Sequence, residues 1–162
     1  MSPNLTFKPL NSRFSKEINM NDKTFMNMLD TISKKGNKPN IYAQFLTTLF
    51  KGYQENLGLL GLYNNANGTD LLLFAGTLEK KSLLFFTKKN YYFQFKKSMM
   101  PSMQSDTNCR LFSCREIINS ILDDSTIEGI IFNVGMENRL DLHRSFLEES
   151  KKNGLFVRLS ST

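Results

Sequence analysis

Tryptophan is absent from this sequence, and cysteine, histidine and proline are scarce: of 162 residues, two are cysteine, one is histidine and four are proline. The two cysteines, Cys109 and Cys114, have a spacing that matches neither a CxxC redox pair nor half of a zinc site. The lone histidine, His143, has no second nitrogen ligand nearby. We therefore predict no metal and no cofactor. We expect both cysteines to be reduced and half-buried, with Cys109 on a strand and Cys114 at a helix start.

Long hydrophobic runs are also missing. The longest, residues 57–63 and 71–75, have the length of strands, whereas a helix that spans a bilayer needs about 20 apolar residues. The first residues, MSPNLTFKPLNSRF, contain no apolar core of a secretory signal. We therefore expect no membrane span and a cytoplasmic location. The length, with 40% hydrophobic and 22% charged residues, is typical of one globular domain.

Short catalytic motifs are a third absence. The sequence contains no phosphate-binding loop, dinucleotide fingerprint or nucleophile elbow. The acidic residues Asp123, Asp124 and Glu128 are interpreted as turn and helix-end residues, because no glycine-rich loop or partner histidine completes a site. His143 is interpreted as a helix cap or a surface residue. We predict no catalytic residues, and an enzyme is the least favoured class.

Negative charge is in deficit, since the chain carries a net charge of +6. The excess of lysine and arginine lies within residues 1–110, whereas residues 111–162 have more acidic than basic side chains. Nowhere do five like charges follow one another. The basic part could meet an acidic partner, or its lysines could simply keep the surface solvated.

The pattern of apolar residues predicts an α+β domain. Residues 1–21 lack a clear period and are expected to form an irregular leader, followed by a single domain over residues 22–162. Helical spacing of apolar residues begins near Asp22 and again at Pro39. Three hairpin-linked strands should follow, and later strands should alternate with helices over 113–122 and 143–153. The predicted strands cover residues 57–63, 70–77, 82–87, 109–113, 127–133 and 154–160. One mixed sheet of about five to six strands with helices packed on it is expected.

The segment SLLFFTKKNYYFQFKKSMM, residues 82–100, allows two interpretations. As a strand, it partly matches an RNA-binding signature in which alternate rings stack on bases. As a helix, it would have Thr87 as N-cap and an apolar stripe that includes Tyr92 and Phe95. The helix is favoured, because Asn90 and Tyr92 replace the small residues of the RNA-binding signature. This helix would leave Phe93 exposed.

A longer pattern extends over roughly residues 40–150. It consists of IYAQFLTTLF, the Phe86-Thr87 step from strand to helix, the helix over 116–122, and Gly129-Ile130 with Asn133, Leu140, Leu142, Arg144 and Leu147. This pattern resembles the N-terminal domain of the SseB family, bacterial proteins named for enhanced serine sensitivity. Val134 stands where the family has proline. The resemblance implies an α+β accessory or interaction domain without catalytic residues.

Two functional hypotheses follow. The first is a non-enzymatic, SseB-like domain that binds a protein partner through the surface near Phe93 or through an exposed strand edge, for which the terminal GLFVRLSST is a candidate; the same edge could pair two copies as a homodimer. The alternative is binding to nucleic acid or another anionic surface. It would use Lys88, Lys89 and Lys96 on one helical face, with Lys97 toward its edge.

Overall fold

The computed structural model describes residues 7–10, 14, 22–66, 68–99 and 107–157. Seven strands and five helices lie within these residues. The strands are β1 (Phe7–Pro9), β2 (Gly58–Ala66), β3 (Thr69–Gly76), β4 (Lys81–Phe86), β5 (Asn108–Ser113), β6 (Ile127–Phe132) and β7 (Leu140–His143). The helices are α1 (Asp22–Ser33), α2 (Pro39–Glu55), α3 (Lys89–Met99), α4 (Cys114–Asp123) and α5 (Arg144–Lys152).

All seven strands belong to one mixed sheet, which confirms the predicted α+β class. Along the sheet the order is β1, β3, β2, β4, β6 and β7, and β5 pairs with β2. Strand β4 also pairs with β3 through its first residues. Only the β4–β6 pair is parallel among the described strands; every other pair is antiparallel. The carboxyl ends of β4 and β6 therefore meet at the same edge.

Helices cover the two faces of this sheet unequally. The larger core lies under α2, α4 and α5, with buried side chains such as Phe45, Phe112 and Ile118. The smaller core lies under α3 and includes Leu62, Leu84 and Phe86 among its buried strand residues. Helix α1 contributes to both cores, because Phe25 and Leu29 belong to the first and Met26 packs against the second.

The leader expected to be irregular contains a strand. Strand β1 pairs with β3 in an antiparallel register, and the amide of Leu10 donates to the carbonyl oxygen of Leu72 at 2.6 Å. Leu10 and Phe14 are both buried in the larger core. These apolar side chains explain why the segment joins the sheet despite its lack of periodicity. The remaining residues of 1–21 lie outside the described ones.

The strand predicted over residues 154–160 is wrong for the part that can be described. Residues 154–157 form a turn after α5, in which the amide of Leu155 donates to the carbonyl oxygen of Ser150 at 2.9 Å. Phe156 is fully buried and packs edge-to-face on Phe50 and Tyr53 of α2. The apolar character of this residue therefore reflects packing against a helix, and it does not indicate a strand. Residues 158–162 lie outside the described part, so the proposed edge formed by GLFVRLSST has no described strand.

Two helix starts were correctly predicted. The hydroxyl of Ser113 accepts from the amide of Glu116 at 3.1 Å, as the N-cap of α4. His143 caps α5, because its Nδ1 accepts from the amide of Ser145 at 3.1 Å. Cys109 lies on β5 and Cys114 opens α4, and both are free thiols. Cys109 is half-buried as expected, but Cys114 is fully buried because it faces the larger core, and this burial raises the pKa of its thiol and makes it unreactive.

Candidate interaction surface on α3 and the adjoining polar network

The segment of aromatic and lysine residues forms helix α3, as favoured from its spacing. Its side chains Tyr92 and Phe95 are only 2% and 3% exposed and pack against Phe86 of β4, with ring centroids 6.3 and 5.6 Å apart. Phe93 points the other way and is 55% exposed. The helical period therefore turns most of the rings into core and leaves one at the surface.

Phe93 lies at the centre of an exposed helical surface that we call the α3 face. Lys89 lies one turn before it and Lys97 one turn after it, and the Lys89 Nζ is 6.0 Å from the Phe93 ring centroid. A second exposed row, formed by Asn90, Gln94 and Ser98, runs beside it. The α3 face consists of Lys89, Asn90, Phe93, Gln94, Lys97 and Ser98. Because α3 contains no acidic residue, this surface combines an apolar centre with positive charge.

The other two lysines of the predicted basic surface make contacts beside the helix. Lys88 Nζ lies 3.5 Å from Oδ2 of Asp30. Lys96 Nζ donates to the carbonyl oxygen of Thr107 at 3.1 Å and lies 5.9 Å from the Tyr92 ring centroid. The predicted arrangement, with Lys88, Lys89 and Lys96 on one face, is therefore wrong: only Lys89 and Lys97 belong to the α3 face.

Thr87 does not cap α3, which corrects the prediction from the sequence. The helix begins two residues later, at Lys89. The Thr87 side chain is buried, and its hydroxyl donates to Oδ1 of Asp30 at 2.8 Å. Its amide donates to the side-chain oxygen of Asn133 at 2.9 Å. These partners replace the cap because β4 ends inside the protein, where a polar side chain needs hydrogen bonds.

Asp30 is the centre of this buried polar network. It is only 2% exposed, yet it lies between two lysines, with Lys34 Nζ 3.2 Å from Oδ2. Burial opposes its ionisation, but hydrogen bonds from Thr87, Lys34 and Tyr91 outweigh burial, so the pKa of Asp30 lies below its ordinary value. The hydrogen bond between Lys34 and Asp30 also raises the pKa of Lys34. The carboxylate is therefore charged and held by several donors, an arrangement that fixes α1 to the start of α3.

The loop after β6 completes the network. Asn138 Nδ2 lies 3.2 Å from Oδ1 of Asp30 and 3.0 Å from Oγ of Ser33. Asn133 adopts a φ of 59°, and the amide of Met136 donates to its carbonyl oxygen at 3.0 Å. Val134 follows Asn133 in this tight turn, and its buried side chain packs into the smaller core.

An open cavity of about 480 Å³ lies beside the network. Ser33, Tyr91 and Asn138 line it together with charged residues at its rim, including Lys34 and Arg139. Arg139 is occupied by a bidentate pair with Asp141, at 2.8 and 3.0 Å. The residues that line the cavity come from the end of α1 and the turn after it, from Tyr91 of α3, and from the loop between β6 and β7.

The acidic residues considered from the sequence remain apart from this network. Asp124 accepts from the hydroxyl of Thr126 at 2.6 Å and lies 3.6 Å from Nζ of Lys81. The hydrogen bond from Thr126 lowers the pKa of Asp124. No group of three histidine, cysteine, aspartate or glutamate residues within the described chain is arranged to hold a metal ion. In the same residues, no helix has the length and apolar character needed to cross a bilayer.

Sequence reasoning missed the Asp30 network, although a partial signal was present. Thr87 and Asn133 directly follow β4 and β6, the two parallel strands. Polar residues at the carboxyl ends of adjacent parallel strands lie close together. The sequence did not show that these strands are neighbours, nor that Asp30 would come from a helix so much earlier in the chain.

Comparisons with known proteins found no matching family model, no similar curated protein and no similar solved structure.

Proposed function

We propose that this domain is a non-enzymatic interaction module of the SseB-like type, which binds a protein partner in the bacterial cytoplasm through the α3 face. The observation that carries the proposal is Phe93, a large aromatic side chain that is 55% exposed on a helix whose rings Tyr92 and Phe95 are buried. Aromatic side chains contribute a large share of the binding energy at protein interfaces.

The anchoring of α3 supports this role. Tyr92 and Phe95 fix the helix on the sheet, and Lys88 ties its start to the buried Asp30. A binding surface on a rigid element loses little conformational entropy when a partner docks. The backbone that carries Phe93 is therefore held in place before a partner docks, as a preorganised interface requires.

Binding to nucleic acid receives less support. Nonspecific binding depends on the number of phosphates that lysine and arginine neutralise. Two of the four proposed lysines, Lys88 and Lys96, are turned to a carboxylate and a backbone carbonyl of the protein itself. The α3 face retains Lys89 and Lys97, with an aromatic ring between them.

The proposal is tested by affinity capture from a lysate of the native host. The bait is the whole protein, compared with its Phe93→Ser variant. Leu78→Ser is the matched control, because Leu78 is also exposed, at 61%, but lies in the turn between β3 and β4. We expect a protein retained by the wild type and by Leu78→Ser but lost with Phe93→Ser. A partner held equally by all three baits removes Phe93 from the interface.

A further inference from the structure

We infer that the partner of the α3 face is an acidic protein segment, one that places an apolar side chain on Phe93 and carboxylates on both sides of it. This inference rests on the proposed function and adds the chemistry of the partner. It follows from the order of side chains along one exposed helical row, Lys89, Phe93 and Lys97.

The spacing defines what fits. Residues four apart on a helix lie one turn apart on the same side, so each lysine lies about 6 Å along the helix from Phe93. Lys89 already lies over the ring, with its Nζ 6.0 Å from the ring centroid. A partner with one apolar side chain and an acidic residue on each side would match this order of charge and apolar surface.

The surroundings reinforce the positive character of the row. Helix α3 has no aspartate or glutamate, so none of its own carboxylates neutralises Lys89 or Lys97. The charges of the other two lysines already have partners within the protein, because Lys88 pairs with Asp30 and Lys96 donates to the carbonyl oxygen of Thr107. Among the described residues no carboxylate forms an ion pair with Lys89 or Lys97, so their charge can meet a partner. Complementary charges at the rim of an interface accelerate association and select the partner.

A photo-crosslinking experiment tests the inference. The amino acid p-benzoyl-phenylalanine replaces the exposed Gln94, so that Phe93 and both lysines stay intact, and the full-length protein is irradiated in native cells. The attached peptide is sequenced by mass spectrometry. We expect a segment with aspartate or glutamate on both sides of an apolar residue. The double variant Lys89→Glu/Lys97→Glu should lower the adduct yield at least ten-fold.

The matched control reverses two exposed lysines elsewhere, Lys35→Glu/Lys51→Glu, and should leave the yield within two-fold. A neutral or basic crosslinked segment, an unchanged yield after reversal on α3, or no adduct at all overturns the inference. Binding of the purified protein to a 20-nucleotide single strand or to anionic vesicles at 150 mM salt, abolished by the same reversal, also overturns it. The proposed function fails separately, when Phe93→Ser leaves affinity capture unchanged.

Discussion

Asp30 joins helix α1 to two parts of the chain that are far away in sequence. Its carboxylate contacts Thr87 after β4, Lys88 at the start of α3 and Asn138 in the loop after β6. Hydrogen bonds to a charged group contribute about 1.5 to 3 kcal/mol each, and a buried group that loses its partners becomes costly. Asp30 therefore helps to hold the start of α3, in addition to the packing of Tyr92 and Phe95 on the sheet.

We predict that Asp30→Asn lowers the free energy of unfolding by about 2 to 3 kcal/mol, because the amide replaces a charged acceptor and adds unneeded donors. Urea denaturation measures the change. The control is Asp141→Asn, since Asp141 pairs with Arg139 at the surface, where such pairs contribute about 1 kcal/mol or less. An equal loss of unfolding free energy in the two variants would show that the buried network stabilises the protein no more than a surface ion pair does.

The lowered pKa of Asp30 predicts a pH dependence. As the pH falls below about 4, the unfolded chain takes up a proton on Asp30 before the folded protein does, because the ordinary pKa of aspartate is about 3.9. The stabilisation is therefore present above this pH and is lost in acid. The difference in unfolding free energy between wild type and Asp30→Asn should shrink from pH 7 to pH 3. A difference that is unchanged at pH 3 contradicts the assigned charge.

The residues of this network explain why only part of the site was predictable. The exposure of Phe93 followed from the helical period of its neighbours, which is a local property. Thr87 was expected to cap a helix because threonine commonly does so, but the long-range partner Asp30 determined its hydrogen bond. Such a partner, 57 residues away, leaves no periodic signal in the sequence.

At the scale of elements, the parallel pair β4–β6 and the hairpin-like pairing of β6 with β7 position the loop that holds Asn133 and Asn138. Gly129 lies opposite His143 in this pairing. A Cβ at Gly129 would overlap the carbonyl oxygen of Leu142, so the close approach of β7 requires glycine here. The strands therefore carry a local constraint at Gly129.

We predict that Gly129→Ala destabilises the protein by about 1 to 3 kcal/mol, because β7 must move away from β6. Thermal and urea unfolding measure the effect. Ser82→Ala is the matched control, since Ser82 faces Gly129 in the register of β4 and β6 and has room for the change. Loss of stability in Ser82→Ala to the same extent would indicate a general sensitivity of the sheet.

Elements with a strong local period were predicted well, and those that depend on distant packing were not. Ser113 and Glu116 marked the start of α4 through a local capping pattern. Residues 154–157 looked like a strand because they are apolar, but Phe156 packs on α2. Strand β1 has only three residues, and its apolar neighbours Leu10 and Phe14 pack in the larger core against residues that are distant in sequence. Apolar character predicted burial in both cases, but not the element.

At the scale of the whole molecule, the sheet has one thickly covered face and one face covered mainly by α3. Helices α2, α4 and α5 bury the larger core, while α3 brings Tyr92 and Phe95 onto the smaller one. The outer side of α3 is therefore the outer surface of that layer. This architecture explains why an aromatic residue flanked by lysines stands at the surface of a well-anchored helix.

The most direct test of this account is the dissociation constant of the captured partner for wild-type protein and for Phe93→Ser. Circular dichroism and the urea midpoint should be the same for both proteins, because Phe93 lies outside the core. We predict that Phe93→Ser weakens binding at least ten-fold, the loss expected for an aromatic anchor. An affinity within two-fold of the wild type, with the fold intact, would contradict the assignment of the α3 face as the binding surface.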